Sequence, residues 1–470
     1  MGYSLEKVLW AARVLQAMPT LLEKTKAWNV SQLQTDSKPL EISAFLANGH
    51  VEMAGRQLLD WCSFDLLGLA SDIRVREAAS SALKRLGLAP MAGLRLQTEL
   101  EQRMAAFLGT EDALYSALPS PIFNSLLELA RDCWATEVEA WPFLSFPQRC
   151  QGSYLEFLEN PSPPPSLVLS CGISPFHGHV APLPQLLQKL RSNRGSLCVD
   201  ESLSMGILGS DGKGMEQHFH LPKGETWKVC DLGQVLGAQG FVFGGPQSVT
   251  SYLRNHPLGR QHRWGQAPNL GAALRALSLL EAETWRRERL WEVAGQLHQS
   301  LRELGFDVGP SATPLIPLWV GNEMRLEALR EALRKSGLWL REHLCGRHSY
   351  FILCPKATHA DEELRRGLEL LAHVARRKAW NEPTQAVEKN FHLANAQPSV
   401  LANPALPHWM PHSPLPQTQA SWEAAKKTTL KQLFQQASTS EFMEELIWQL
   451  ISLNKPSLRQ KAADWLLKRL

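Results

Sequence analysis

The sequence predicts an α/β protein with a large, mostly parallel sheet layer, a smaller α+β unit and a helical C-terminal extension. Three observations carry this. Short apolar runs alternate with helical patterns between about residues 61 and 285. Strands and helices then succeed one another more tightly to about residue 385. A Pro-rich stretch follows, and after it a segment with apolar residues at helical spacing.

Residues 1–60 read as a helix and an arm. The apolar stretch at 8–22 is interrupted by Arg13 and Pro19 and flanked by Glu6, Glu23 and Lys24. It therefore reads as an amphipathic helix and not as a membrane span. The arm closes on a hairpin-like stretch ending Leu58-Leu59-Asp60-Trp61-Cys62. Within the large unit, 61–285, a helix is expected at 73–86, with Val75, Ala79, Ala82 and Leu83 on one side and a stop at Gly87. A second helix, 98–108, stops at Gly109. Residues 166–170, 196–199 and 241–243 read as buried strands, and 183–191 as a crossover helix.

The pattern is helical throughout 269–304. The small unit, 286–385, then carries a strand at 315–320, a helix at 326–336, a strand at 350–354 and a helix at 361–377. Residues 386–420 form a linker, Pro-rich from 398 to 416. The extension, 421–470, is anchored by Phe434, Phe442, Leu446, Ile447, Leu450, Trp465 and Leu466.

Composition narrows the function classes. The chain has 470 residues, 44% of them hydrophobic and 20% charged, as in an ordinary globular protein. A net charge of +3 without a dense Lys/Arg stripe argues against a nucleic-acid partner. Eight scattered cysteines without a CxxC pair, and no secretory signal pattern, point to reduced thiols and a cytoplasmic chain.

One stretch carries the chemistry. Val199-Asp200-Glu201-Ser202-Leu203-Ser204-Met205-Gly206-Ile207-Leu208-Gly209 is a strand end with a carboxylate followed by a Gly-rich turn. About thirty residues on comes Asp231-Leu232-Gly233-Gln234-Val235-Leu236-Gly237. The turn at 209–214 lacks the Lys-Ser/Thr ending of a phosphate loop. No nucleophile elbow surrounds Ser202 or Ser204. The pairs His177/His179 and His218/His220 have no Cys or His cluster beside them, so they read as turn residues and no metal is expected.

In order and spacing these residues resemble the α-oxoamine synthase family, class II pyridoxal-phosphate acyltransferases. Phe64-Asp65-Leu66-Leu67-Gly68-Leu69-Ala70 is similar to the family's entry motif, and Thr98 to Gly109 to its "LE…FLG" helix. Val180-Ala181-Pro182-Leu183 matches its "APL" turn, Asp200 to Ser204 its "DEAHS", and Gly209 to Gly214 its "GxxGRG". Within the family, the run Glu201 to His218 most resembles the lysine-less first subunit of serine palmitoyltransferase, with Gln217 as a departure.

The resemblance implies a fold-type-I, aspartate-aminotransferase-like subunit. It also implies pyridoxal phosphate as cofactor, an amino acid and an acyl thioester as substrates, and a dimer with itself or with a lysine-bearing paralogue. It places Gln234 at the Schiff-base lysine, and an amide cannot condense with an aldehyde. Asp200 falls where the family's aspartate pairs with the pyridine nitrogen. Asp200 and Ser202 are therefore the expected, vestigial cofactor contacts.

Further departures accumulate. Leu203 replaces a family histidine. The ring-stacking histidine would fall near Ala140 to Phe143, where only Trp141 or Phe143 could stack. The phosphate turn reads Ala117-Leu118-Pro119-Ser120-Pro121, and proline has no N–H to donate. The loop between Gly87 and Leu100 is short for the family. The strand of the family's carboxylate-gripping arginine reads Tyr350-Phe351-Ile352, and Arg347 is out of register. Lys223 and Lys228 do not occupy the lysine register. With imine, stack, phosphate grip and clamp all absent, the expectation is a non-catalytic subunit. An enzyme holding the cofactor noncovalently and a pure binding or regulatory module are the alternatives.

Overall fold

Two sheets organise the chain in a computed structural model that describes residues 42–380 apart from 47–48, 89–93, 131–132, 137–150, 153, 160–164, 193, 262, 310, 322, 346–347 and 379. The expected N-terminal helix at 8–22, the linker and the 421–470 extension lie outside the described residues, as do Trp141, Phe143 and Arg347.

The described residues open with strand β1 (Ile42–Phe45) and the hairpin of β2 (His50–Met53) and β3 (Arg56–Trp61). Ala54 and Gly55, both at positive φ (48° and 71°), make its turn. Helix α1 (Ile73–Leu86) starts where Asp72 accepts from the Arg74 N–H and ends at Gly87. Helix α2 (Arg95–Leu108) ends at Gly109 in the left-handed region. Next come β4 (Asp112–Ser116), α3 (Pro119–Leu129), β5 (Cys133–Thr136), β6 (Gln151–Gly152), α4 (Tyr154–Glu159), β7 (Leu167–Cys171) and α5 (Leu183–Arg191).

Strand β8 (Ser196–Asp200), the short α6 (Met215–His218), β9 (Trp227–Asp231), the short α7 (Leu232–Val235) and β10 (Phe241–Gly245) complete the large sheet. Helices α8 (Gln247–Asn255), α9 (Pro257–Gln261), α10 (Ala267–Ala282) and α11 (Trp285–Glu303) follow. The small unit supplies β11 (Ile316–Gly321), α12 (Glu323–Ser336), β12 (Leu338–Cys345), β13 (His348–Leu353) and α13 (Asp361–Lys378). Among the described residues no helix is long and apolar enough to cross a membrane.

The large sheet runs β4-β10-β9-β8-β7-β5-β6, parallel from β9 to β6, with β10 antiparallel to both neighbours. Its central strands are apolar on both faces. Val168, Leu197, Val199 and Cys230 pack into one cluster, and Leu167, Leu169, Cys198 and Val229 into another. Burial on both faces is what a parallel sheet covered by helices requires. The small sheet runs β1-β2-β3-β12-β13-β11. The N-terminal hairpin thus belongs to this sheet, with β3 parallel to β12.

Two expectations need correction, and two features were not anticipated. The helical stretch at 269–304 is two helices, broken at Glu283 and Thr284. Leu83 is exposed, not on the packed side of α1. The 241–243 strand runs antiparallel to its neighbours. Strands β4, β5, β9 and β12 carry polar or charged residues and went unrecognised.

The break at Glu283 is held by charge. Arg286 pairs with Asp72 (2.5 Å) and Glu283 (2.7 Å), while Arg74 pairs with the same two carboxylates at 2.8 and 2.7 Å. Removing one guanidinium leaves two buried carboxylates sharing the other. Arg286→Met is therefore expected to cost about 3–5 kcal/mol in urea unfolding. Arg365→Met, which breaks only exposed pairs with Glu362 and Glu369, should leave the midpoint nearly unchanged.

Candidate active site

The carboxyl ends of parallel strands are where open α/β sheets place their ligands. Here β8 ends in Asp200 and the adjacent β9 ends in Asp231. Each is followed by a tight turn, and the two turns are tied together. Ser202 donates its N–H to Asp200 Oδ1 (2.8 Å), and its Oγ accepts the Asp231 N–H (2.7 Å). Asp231 Oδ1 accepts the Gly233 N–H at 2.8 Å and so caps α7. Its other oxygen, Oδ2, accepts from Gln234 Nε2 at 3.2 Å.

Below this pair lies Glu201, fully buried. Its oxygens accept the Met215 N–H at 3.0 and 3.2 Å and the Ser204 hydroxyl. Gly214 makes this contact possible: at φ 86°, a Cβ there would stand 2.3 Å from Glu201 Oε2. The Gly-rich turn closes on itself through Gly206 N–H to Gly212 O (2.7 Å) and the Met205–Lys213 bridge.

Burial dominates the electrostatics. It raises the Asp200 carboxyl to about 6, with the Asp231 charge adding to the rise and the Ser202 bonds opposing it. Burial likewise lifts Asp231, against its bonds from Gly233 and Gln234. Glu201 is raised to about 7, burial outweighing the opposing effect of Lys228.

The two lysines near the Gln234 position are placed elsewhere. Lys223 is exposed. Lys228 is buried on the opposite side of β9 from Asp231, where its Nζ pairs with Glu216 (2.7 Å) and donates to the Leu108 carbonyl (2.5 Å). Glu216 also accepts from Thr226 N–H (2.8 Å) and Oγ1 (2.9 Å). The pair is structural and leaves Lys228 no reach toward the strand ends.

The residues do not fit pyridoxal phosphate. Position 234 offers an amide already bonded to Asp231. In α3, Pro119 and Pro121 stand at the first and third helical positions, leaving one N–H among the first three. Leu203 is packed in the core. Tyr350 and Ile352 are buried. Directly across the ladder from Ile352 lies Arg341, on β12, its guanidinium 3.9 Å from the Phe64 ring centroid. Sequence reading missed Arg341 and gave Asp231 no role. Cross-strand register was the information lacking for the first; the second acquires its role only through bonds made once the two turns meet.

His177 and His179 stack at 6.0 Å, with His177 edge-on to Tyr350 at 5.6 Å. His218 packs on Phe219 at 4.8 Å. Among the described residues no group of three or more His, Cys, Asp or Glu is arranged to hold a metal.

Comparisons with known proteins agree on the fold. A family model described as aminotransferase class I and II matches residues 160–371. An 8-amino-7-oxononanoate synthase of Hahella chejuensis is 28% identical over 349 residues, covering 68% of this chain and 88% of that protein. Its namesake from Anaeromyxobacter sp. (strain K) is 30% identical over 319 residues, covering 62% and 79%. A solved serine palmitoyltransferase with a pyridoxal-phosphate internal aldimine superposes with a TM-score of 0.68 at 16% identity, covering 77% of this chain and 98% of that one. The Sphingomonas wittichii serine palmitoyltransferase gives 0.66 at 17%, covering 77% and 97%.

Glu201 generates a pH prediction. A carboxyl raised from 4.5 to about 7 on folding makes the native state hold its proton more tightly, so stability falls as pH rises through that window. Relative to Glu201→Gln, the wild-type chain should lose at most about 3 kcal/mol between pH 5 and 8, read from denaturant midpoints at each pH.

Proposed function

Because the chain belongs to the α-oxoamine synthase family, whose fold and pyridoxal-phosphate chemistry its relatives share, we propose that it is a non-catalytic member. In this reading it keeps the fold and serves as the structural partner of a lysine-bearing paralogue. The paralogue would condense an amino acid with an acyl thioester, as the serine palmitoyltransferase resemblance suggests.

One observation carries the reading. At the β9–α7 turn the side chain is the Gln234 carboxamide, bonded to Asp231 at 3.2 Å. Its nitrogen lone pair is delocalised and cannot attack an aldehyde carbon. The prolines of α3 and the buried Tyr350 and Ile352 support the same reading, since each removes a separate function of the family's site.

What such a chain can still supply is surface and geometry. Its strand-end turns are cross-linked by their own side chains. That is what a scaffold needs and an enzyme does not require.

Incubated with pyridoxal phosphate and borohydride, the isolated chain should yield no reduced cofactor adduct by mass spectrometry and no turnover of amino acid with acyl thioester. Co-expressed with a lysine-bearing paralogue, it should co-elute in size-exclusion chromatography and raise the paralogue's activity. Turnover by the isolated chain, or a trapped lysine adduct, would overturn the reading.

A further inference from the structure

We propose that the site at the ends of β8 and β9 is closed to pyridoxal phosphate by charge as well as by its missing amine, and that Asp231 closes it. The inference rests on the reading above and goes beyond it: restoring a lysine at 234 would not restore the chemistry.

Asp231 opposes the cofactor at both ends. Its carboxylate sits on the α7 amides, with Oδ1 taking the Gly233 N–H at 2.8 Å. An anion of the chain itself thus uses the donor that the turn offers. An arriving phosphate would meet a spent donor and a like charge. Asp231 forms no ion pair among the described residues, so no cation offsets its charge there. Nor does α3 compensate, because Pro119 and Pro121 remove two of its first three amides.

The second effect concerns the amine. Gln234 Nε2 lies 3.2 Å from Asp231 Oδ2. An ammonium introduced by Gln234→Lys would come within ion-pairing reach of the same carboxylate. Pairing favours the protonated form, and a protonated amine has no lone pair for the aldehyde. The degenerate state is therefore set at two positions that reinforce each other.

The test compares the full-length wild-type chain with Gln234→Lys, Asp231→Asn and the double variant. Asn caps a helix about as well as Asp, so Asp231→Asn removes charge while keeping the turn, and thermal melts confirm folding. The probes are pyridoxal phosphate and pyridoxal, its phosphate-free counterpart. Imine formation, in which the amine attacks the aldehyde carbon and one water leaves, is read by visible absorbance. Borohydride reduction and mass analysis of the peptide carrying position 234 then locate it.

Gln234→Lys alone should form little adduct with pyridoxal phosphate. Adding Asp231→Asn should raise its apparent affinity at least about tenfold, and raise the preference for pyridoxal phosphate over pyridoxal by a similar factor. Equal adduct formation by the single and double variants, or an unchanged preference, overturns the role of Asp231. An adduct in the wild-type chain would instead overturn the non-catalytic reading, so the two failures are distinguishable.

Discussion

Three arginines in the first turns of α11 hold the parts of this molecule in register. Arg286 reaches Asp72, Glu283 and the carbonyls of Leu67 and Gly68. Arg287 donates to the Ser210 carbonyl in the Gly-rich turn. Arg289 pairs with Glu292 and Asp361 and reaches the His359 carbonyl in the small unit. One helix end thereby fixes the entry loop, the Gly-rich turn and the start of α13. Cations at a helix N-terminus oppose the macrodipole, and burying them is costly. Four carboxylates and several carbonyls compensate. Such networks add little net stability over apolar packing; what they specify is position, because a guanidinium accepts only a narrow set of partner geometries.

The strand ends follow the same logic on a smaller scale. Glu201 holds the Gly-rich turn from beneath, Ser202 bridges the two turns, and Asp231 caps α7. Among the described residues, Ser202, Asp231 and the Gln234 amide nitrogen at these turns are bonded to one another or to the turn backbone. These polar groups are not displaced cheaply, since each would leave a buried partner unsatisfied.

Much of this was legible in the sequence. Helices α1 and α5 have the expected bounds, and the apolar runs of β7 and β8 lie within a residue or two of their expected place. Their patterns are local, and caps such as Asp72 and Gly87 mark the ends. Strand β9 was not legible, because Lys228 and Asp231 break its apolar run and Lys228 is neutralised by Glu216 and Leu108, distant in sequence. Strand β12, reading Leu-Trp-Leu-Arg-Glu-His, hides its register in charges that pair across elements, as Glu342 does with Arg330 and Arg334. At the site, the identities of Gln234, Leu203 and the α3 prolines were readable by position. The role of Asp231 was not, because it arises from bonds made after the two turns meet.

The contrast between Lys228 and Gln234 separates a side chain that the fold requires from one that it does not. Both lie on the same strand and the turn it leads into, six residues apart. Lys228 is enclosed by the large unit, where its ammonium joins β9 to the last turn of α2 and to α6. Deleting it would leave the buried Glu216 carboxylate without its counter-charge, with only its bonds from Thr226 and Gly224, a penalty of several kcal/mol. Position 234 is partly exposed and makes one side-chain bond within its own turn. Folding makes few demands on the side chain at that position. The charge of Lys228 is held by the fold through Glu216 and the Leu108 carbonyl, whereas the amide at 234 is held only by its own turn.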